Sequence, residues 1–167
     1  IIRAMLQNLR AGRVVAGGST LTQQLVKNLY LNPERSLRRK LTEAAMALLL
    51  EFHYGKNEIL QAYVNEVFLG QSGNRAIHGF ALASEHFFGR PLAEVSIADL
   101  ALLVGMVKAP SRYNPIRFPE RALARRNLVL KELTKAGHLD AQSLASFRKA
   151  PLNVASQRSR VAGKAHS

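Results

Sequence analysis

The chain has 167 residues, of which 47% are hydrophobic, so it can bury one domain-sized core and does not have the composition of a disordered protein. It contains no cysteine, which excludes a disulfide framework and a thiolate metal site. Its 24 Lys and Arg residues against 11 Asp and Glu residues give a net charge of +13. This excess favours a polyanionic partner, such as nucleic acid, acidic lipid headgroups or a phosphorylated substrate, with an ordinary solvated basic surface as the alternative.

Helical periodicity is present along most of the sequence, and no strand-period alternation persists. The segment from Ala16 to Ser19 is predicted to be a flexible entry loop, Gln71 to Ala76 a polar loop, and the small, basic residues after Pro151 a linker or disordered end. The predicted helices cover Thr20 to Leu31, Ser36 to His53, Asn57 to Gly70, Gly79 to Phe88, Ser96 to Val107, Pro119 to Leu133, and Asp140 to Lys149. Ser36, Asn57 and Ser96 are the predicted N-caps, with Asp99 at the third helical position after Ser96, and Pro119 is the predicted first residue of its helix. Tyr63 is predicted to be a core residue. We therefore predict an all-α chain, with one domain over residues 1–150 and a basic linker over residues 151–167.

Glu43 is the carboxylate with the most unusual predicted surroundings. Seven apolar residues follow it directly, and a helix that is apolar all round is expected to be buried. A carboxylate at the mouth of such a helix must be paired, and Lys40 and Arg39 lie three and four residues before it. Desolvation would raise the pKa of Glu43 and the cations would lower it, so its charge state stays open. The alternative is an ordinary salt bridge on a helix surface.

A dense basic set surrounds the predicted turn before Glu43. Its members are Lys27, Arg35, Arg38, Arg39 and Lys40. Ammonium and guanidinium groups in this arrangement bind phosphates, with a solvated basic face as the alternative. Gln23 and Gln24, beside a Gly-Gly-Ser-Thr loop, offer neutral donors and acceptors for sugar hydroxyls or amides. The five histidines show no metal-ligand spacing.

Four segments resemble, in order and spacing, motifs two to five of glycosyltransferase family 51, the peptidoglycan glycosyltransferases. They run from Gly17 to Asn28, from Arg39 to Ala47, from Lys56 to Asn65 followed by Gly70-Gln71, and from Arg125 to Leu130. The resemblance extends from Ile1 to about Leu133. It is closest to the domain found in class A penicillin-binding proteins, and the segments Leu69–Gly73 and Gly105–Pro115 are most similar to one Gram-negative subtype. This resemblance implies a bifunctional parent, with residues 151–167 as a linker toward a transpeptidase domain.

The resemblance implies a lysozyme-like helical fold with a hydrophobic, membrane-proximal jaw. It implies polymerisation of lipid II into glycan strands, with undecaprenyl pyrophosphate as the leaving group. Glu43 would help to stabilise the transition state and organise the pyrophosphate. The implied pyrophosphate-binding cations are Lys27, Arg35 and Lys40, and the implied residues of the donor cleft are Gln24, Ser19 and Thr20.

The resemblance also implies partners, a cofactor and a location. The partners are lipid II, the growing glycan chain, an anionic membrane surface and other cell-wall synthesis proteins, with no nucleic acid. The one cofactor it leaves open is a divalent cation, Mg²⁺ or Mn²⁺, at Glu43. The implied location is the periplasmic face of the bacterial inner membrane, with anchoring by a further segment.

The family's first motif, which carries a Glu-Asp pair and a downstream His, is expected before Ile1. No glutamate in the chain is placed to replace that general base. Because general-base assistance is commonly worth ~10²–10⁴-fold, the chain alone is expected to be nearly inactive. Three alternatives remain: a monofunctional peptidoglycan glycosyltransferase, a basic helical nucleic-acid-binding module, and a glycan-cleaving lysozyme relative, which would need a second carboxylate across the cleft.

Overall fold

A computed structural model describes residues 20–30 and 36–155. These residues form seven α-helices, one 3₁₀ turn and one two-stranded antiparallel hairpin. The predicted helical character is confirmed, and the hairpin corrects the prediction of an all-α chain. No helix in the described ranges is long and apolar enough to cross a membrane. The chain divides into two compact units, residues 1–66 and 67–167, and each is described by itself.

The first unit contains three helices: α1 (Leu21–Tyr30), α2 (Leu37–His53) and α3 (Lys56–Glu66). Each helix packs against the other two. Their shared core consists of Leu25, Val26, Ala47, Ile59 and Tyr63. The predicted entry loop at Ala16–Ser19 lies outside the described residues.

The helix starts of this unit are set by side chains that satisfy free backbone amides. The Thr20 hydroxyl accepts from the Gln23 amide at 3.2 Å, and Gln23 Oε1 accepts from the Thr20 amide at 3.3 Å, which is a capping box. Ser36 caps α2, as predicted, by accepting from the Arg39 amide. The predicted cap of α3 at Asn57 is wrong. The amide of Gly55 donates to the Glu58 carboxylate at 2.7 Å, so the helix begins two residues earlier than a cap at Asn57 requires.

The burial predicted for α2 on all sides is only partly correct. Glu43 and Ala47 are buried, but Leu41, Leu48 and Leu49 are exposed and Phe52 is 86% exposed. Helices α1 and α3 cover one side of α2, and this accounts for the burial of Glu43 and Ala47. A sequence that is apolar around the whole axis does not reveal which sides its neighbours cover.

The second unit begins with a hairpin of β1 (Phe68–Ser72) and β2 (Arg75–His78). Gly70 pairs with Ile77 and Ser72 with Arg75 across a turn in which Gly73 has a φ of 57°. The loop predicted over residues 71–76 and the extension of α3 to Gly70 are therefore wrong. Two strands this short produce too little alternation to detect, and burial of Leu69 and Ile77 fixes the pairing register.

The remaining elements are α4 (Phe80–Phe88), a 3₁₀ turn (Leu92–Glu94), α5 (Ile97–Met106), α6 (Pro119–Lys135) and α7 (Ala141–Lys149). Ser96 and Asp99 form a capping box at the start of α5, and Pro119 is the first residue of α6, both as predicted. Helices α5 and α6 pack closely at Gly105, where an added Cβ would lie 2.9 Å from Cγ of Arg125. The absence of a side chain at Gly105 permits this approach.

Arg126 holds the end of the second unit together. This buried guanidinium donates to the carbonyl oxygens of Ala150 at 2.8 Å, Arg148 at 3.2 Å and Pro151 at 3.3 Å. Leu152 and Val154, which the sequence assigned to the linker, are buried. The packed unit therefore extends past the predicted boundary at residue 150, and the rest of the predicted linker, residues 156–167, lies outside the described residues.

Candidate active site

The buried carboxylate of Glu43 is the central feature of the candidate site. Oε1 lies 2.6 Å from the Lys40 Nζ, one turn earlier on α2. The Glu43 side chain is 2% exposed and that of Lys40 is 47% exposed. Of the two cations predicted to pair with Glu43, Lys40 does so, whereas Nε of Arg39 is buried with no hydrogen-bond partner among the described residues. The pair thus joins a buried anion to a cation at the surface.

The second oxygen of Glu43 has no such partner. Oε2 is buried and makes no hydrogen bond with any described residue. A buried carboxylate oxygen without a donor is costly, and such atoms in native proteins call for an explanation. A ligand that reached this buried oxygen would have to bring a proton or a positive charge.

Helix α1 carries the neutral and basic residues predicted to contact the substrate. Lys27 is exposed in its last turn and forms no ion pair with a described residue. Gln24 is exposed, and its Oε1 accepts from the Tyr63 hydroxyl at 3.1 Å. Because α1 packs against α2 and α3, the first unit holds Lys27, Gln24, Lys40 and Glu43 on adjoining helices.

For three of the predicted site residues the structure does not test the predicted substrate contact. Ser19 and Arg35 lie outside the described residues, so their roles stay predictions. Thr20 is described, and its hydroxyl accepts from the Gln23 amide at 3.2 Å. The structure thus gives Thr20 a part in starting α1, in addition to the substrate contact predicted for it.

Two polar contacts in this unit were not predicted. Tyr63 was expected to be an ordinary core residue, but a buried tyrosine hydroxyl usually has a partner, and that rule could have indicated the contact with Gln24. Burial raises the pKa of Tyr63. Thr22 donates to Oε1 of Glu51 at 2.6 Å beside a cleft of about 500 Å³, and nothing in the spacing of these residues indicates that contact.

The described residues do not form a metal site by themselves. Among these residues, no three His, Asp or Glu side chains lie close enough together to hold a metal ion. Glu43 offers one free carboxylate oxygen, since its other oxygen faces Lys40. Mg²⁺ is often held by one or two carboxylates together with substrate phosphates, so Glu43 fits a cation only when a phosphorylated substrate supplies further oxygens.

Comparison with known proteins defines the class of this chain. The profile of the family described as "Transglycosylase" matches residues 1–134. The chain therefore belongs to the transglycosylase family, as its motifs predicted.

Individual relatives refine this assignment. The chain is 58% identical to penicillin-binding protein 1B of Vibrio cholerae over 91% of the chain and 20% of that protein. It is 55% identical to penicillin-binding protein 1B of Escherichia coli over 91% of the chain and 18% of that protein. The predicted resemblance to one Gram-negative subtype is confirmed, and that subtype is penicillin-binding protein 1B. The chain spans about one fifth of the length of these relatives.

A solved structure supports the fold. The crystal structure of penicillin-binding protein 1A from Haemophilus influenzae matches with a TM-score of 0.55 and 27% sequence identity. The match covers 81% of this chain and 16% of that one. The mainly helical architecture is thus shared with part of that penicillin-binding protein.

Proposed function

We propose that this chain is a peptidoglycan glycosyltransferase domain that polymerises lipid II into glycan strands and releases undecaprenyl pyrophosphate. The observation that carries the proposal is the pairing of buried Glu43 with half-exposed Lys40 inside a segment matching the family. Lys40 is a surface cation whose position is restricted by a buried anion. Such a cation suits a ligand that gains negative charge during the reaction. The leaving pyrophosphate is such a ligand.

The reaction transfers a glycosyl group between two oxygens. The 4-hydroxyl of the acceptor sugar attacks the anomeric carbon of the lipid-linked donor and forms the new glycosidic bond. The bond from that carbon to the pyrophosphate oxygen breaks, and the electron pair leaves with the pyrophosphate. The hydroxyl proton passes to the general base, which in the resemblance is a glutamate of the family's first motif and not Glu43.

The basic residues stabilise the departing group. In this proposal Lys27, Arg35 and Lys40 contact the pyrophosphate, whose negative charge increases as the bond breaks. Fixed cations therefore favour the transition state over the ground state. Glu43 acts through Lys40: its carboxylate, 2.6 Å away, restricts the position of the ammonium group. Gln24, Ser19 and Thr20 line the donor cleft, the last in addition to capping α1.

A divalent cation remains part of the proposal. Bound Mg²⁺ or Mn²⁺ would neutralise negative charge on the pyrophosphate, with the free oxygen of Glu43 as its one protein ligand in the described part of the chain.

The wider setting is also part of the proposal. We infer a lysozyme-like fold with a membrane-proximal jaw, at the periplasmic face of a bacterial inner membrane. The net charge of +13 suits contact with anionic lipid headgroups. We infer a bifunctional parent in which the segment after residue 155 leads to a transpeptidase domain, and in which other cell-wall synthesis proteins are partners.

The test is Glu43→Gln in the complete parent protein, with lipid II polymerisation as the readout. This neutral variant should lower the rate by about 10²-fold or more, which is the loss typical of a disrupted charge-stabilising group. Acylation by penicillin should be unchanged, since it reports on the separate transpeptidase domain. Glu85→Gln, which neutralises an exposed glutamate of α4, is the matched control and should polymerise normally. Normal polymerisation by Glu43→Gln would exclude the role given to this residue.

A further inference from the structure

Tyr63 and Gln24 form a contact between two helices that are far apart in sequence. Tyr63 lies on α3, is 6% exposed, and donates its hydroxyl proton to Oε1 of Gln24 on α1 at 3.1 Å. Gln24 itself is exposed. The buried hydroxyl therefore contacts one end of an amide whose residue is accessible to ligands.

In this contact the oxygen end of the Gln24 amide faces Tyr63. A carboxamide has an oxygen that only accepts and an NH₂ group that only donates. Because the oxygen is bound to Tyr63, the NH₂ group is the end left for a ligand. Without that bond the amide could turn over and present its oxygen, which cannot donate a hydrogen bond to the oxygens of a phosphate.

We propose that Tyr63 is a positioning residue that holds the Gln24 amide with its NH₂ group presented to an oxygen of the lipid-linked donor. The inference rests on the proposed function. Tyr63 is almost fully buried, so it acts through Gln24 and does not touch the substrate. The fitting ligand atoms are acceptors: pyrophosphate oxygens or the hydroxyl and carbonyl oxygens of the adjoining sugar.

The surroundings of Tyr63 keep it in this role. Burial raises the pKa of its hydroxyl, which favours the protonated, donating form. The packing of α3 against α1, with Leu25 and Ile59 in the shared core, restricts where the ring can move. A phenylalanine would fill the same space without supplying the donor.

A double-mutant cycle in the complete parent protein tests the inference. Tyr63→Phe should lower kcat/KM for lipid II about three- to tenfold, mainly through KM, as expected for losing one positioned hydrogen bond. In a Gln24→Ala background the same substitution should have no further effect, because the residue through which Tyr63 acts is gone. Additive losses would overturn the inference, since they would mean that Tyr63 acts independently of Gln24.

Two more variants sharpen the result. Gln24→Glu keeps an oxygen for Tyr63 but replaces the NH₂ group with an anionic acceptor, so it should be worse than Gln24→Ala; activity at or above that of Gln24→Ala would overturn the inference. Tyr113→Phe removes a hydroxyl from the second unit and is the matched control, with unchanged kcat/KM expected. Urea unfolding of each variant distinguishes a loss of stability from a loss of substrate positioning. A loss of stability would affect the unaltered and the Gln24→Ala backgrounds alike. If the unaltered parent does not polymerise lipid II, the proposed function fails; additivity in an active parent overturns this inference alone.

Discussion

Lys40 Nζ lies 2.6 Å from Oε1 of Glu43, yet the two side chains differ greatly in exposure, at 47% and 2%. The pair is therefore asymmetric: water can reach the cation and cannot reach the anion. An isolated buried carboxylate is strongly disfavoured, so Lys40 stabilises the folded unit as well as serving the chemistry proposed for it.

We expect Lys40→Met to lower the free energy of unfolding by about 1–3 kcal/mol, because Glu43 would be left buried without its cation. The expected loss is smaller than that for a fully buried ion pair, since Lys40 is half exposed. The double variant Lys40→Met/Glu43→Gln should recover part of the loss, as it removes the unpaired charge. Urea denaturation measures all three proteins, and a double variant whose loss equals the sum of the single losses would contradict the coupling.

Thr20 provides a second prediction, because the capping box gives it a structural role. Thr20→Ala should lower the free energy of unfolding by about 1 kcal/mol, the usual loss for a removed N-cap. Thr20→Ser keeps a capping hydroxyl and should retain most of the stabilisation. Thermal unfolding followed by circular dichroism checks this. Equal stabilities for the alanine and serine variants would mean that the hydroxyl does not stabilise α1.

Arg126 should be sensitive to conservative replacement. Arg126→Lys keeps the charge but loses the planar fork that reaches three carbonyl oxygens, so we expect a loss of about 2–4 kcal/mol. Amide hydrogen exchange should accelerate at residues 152–154, which pack at the end of this unit. Arg148→Lys, at an exposed position, is the control and should exchange normally. Unchanged protection in Arg126→Lys would show that the guanidinium does not hold this segment.

The stability of the second unit should fall at mildly acidic pH because of His86. Burial lowers the pKa of this imidazole below its ordinary value of 6.5. The unfolded chain therefore binds the proton more readily, so the contribution of His86 is present above pH 6.5 and is lost as the pH falls towards the lower folded value. The urea midpoint measured between pH 7.5 and pH 5 should decrease less in His86→Gln than in the unaltered chain. His138→Gln, at an exposed position, is the control, and identical pH profiles for all three proteins would contradict the prediction.

Local signals in the sequence predicted most of the helices correctly. Ser36 and Ser96 cap their helices and Pro119 begins α6, because these effects depend on a few neighbouring residues. The hairpin at residues 68–78 escaped prediction because each of its strands is short and its stability depends on burial of Leu69 and Ile77. The spacing of three residues between Lys40 and Glu43 also predicted their ion pair, since helical geometry alone brings such side chains together.

The sequence by itself determined the family, the helical character and the residues proposed to bind pyrophosphate, because motifs, caps and helix spacing are properties of nearby residues. Only the tertiary structure decided which side of α2 is buried, that Tyr63 donates to Gln24, and that Arg126 holds the carbonyl groups near residue 150. These hydrogen bonds join residues 22 to 39 positions apart. They depend on how helices pack, and periodicity along one helix carries no information about the neighbour that will cover it.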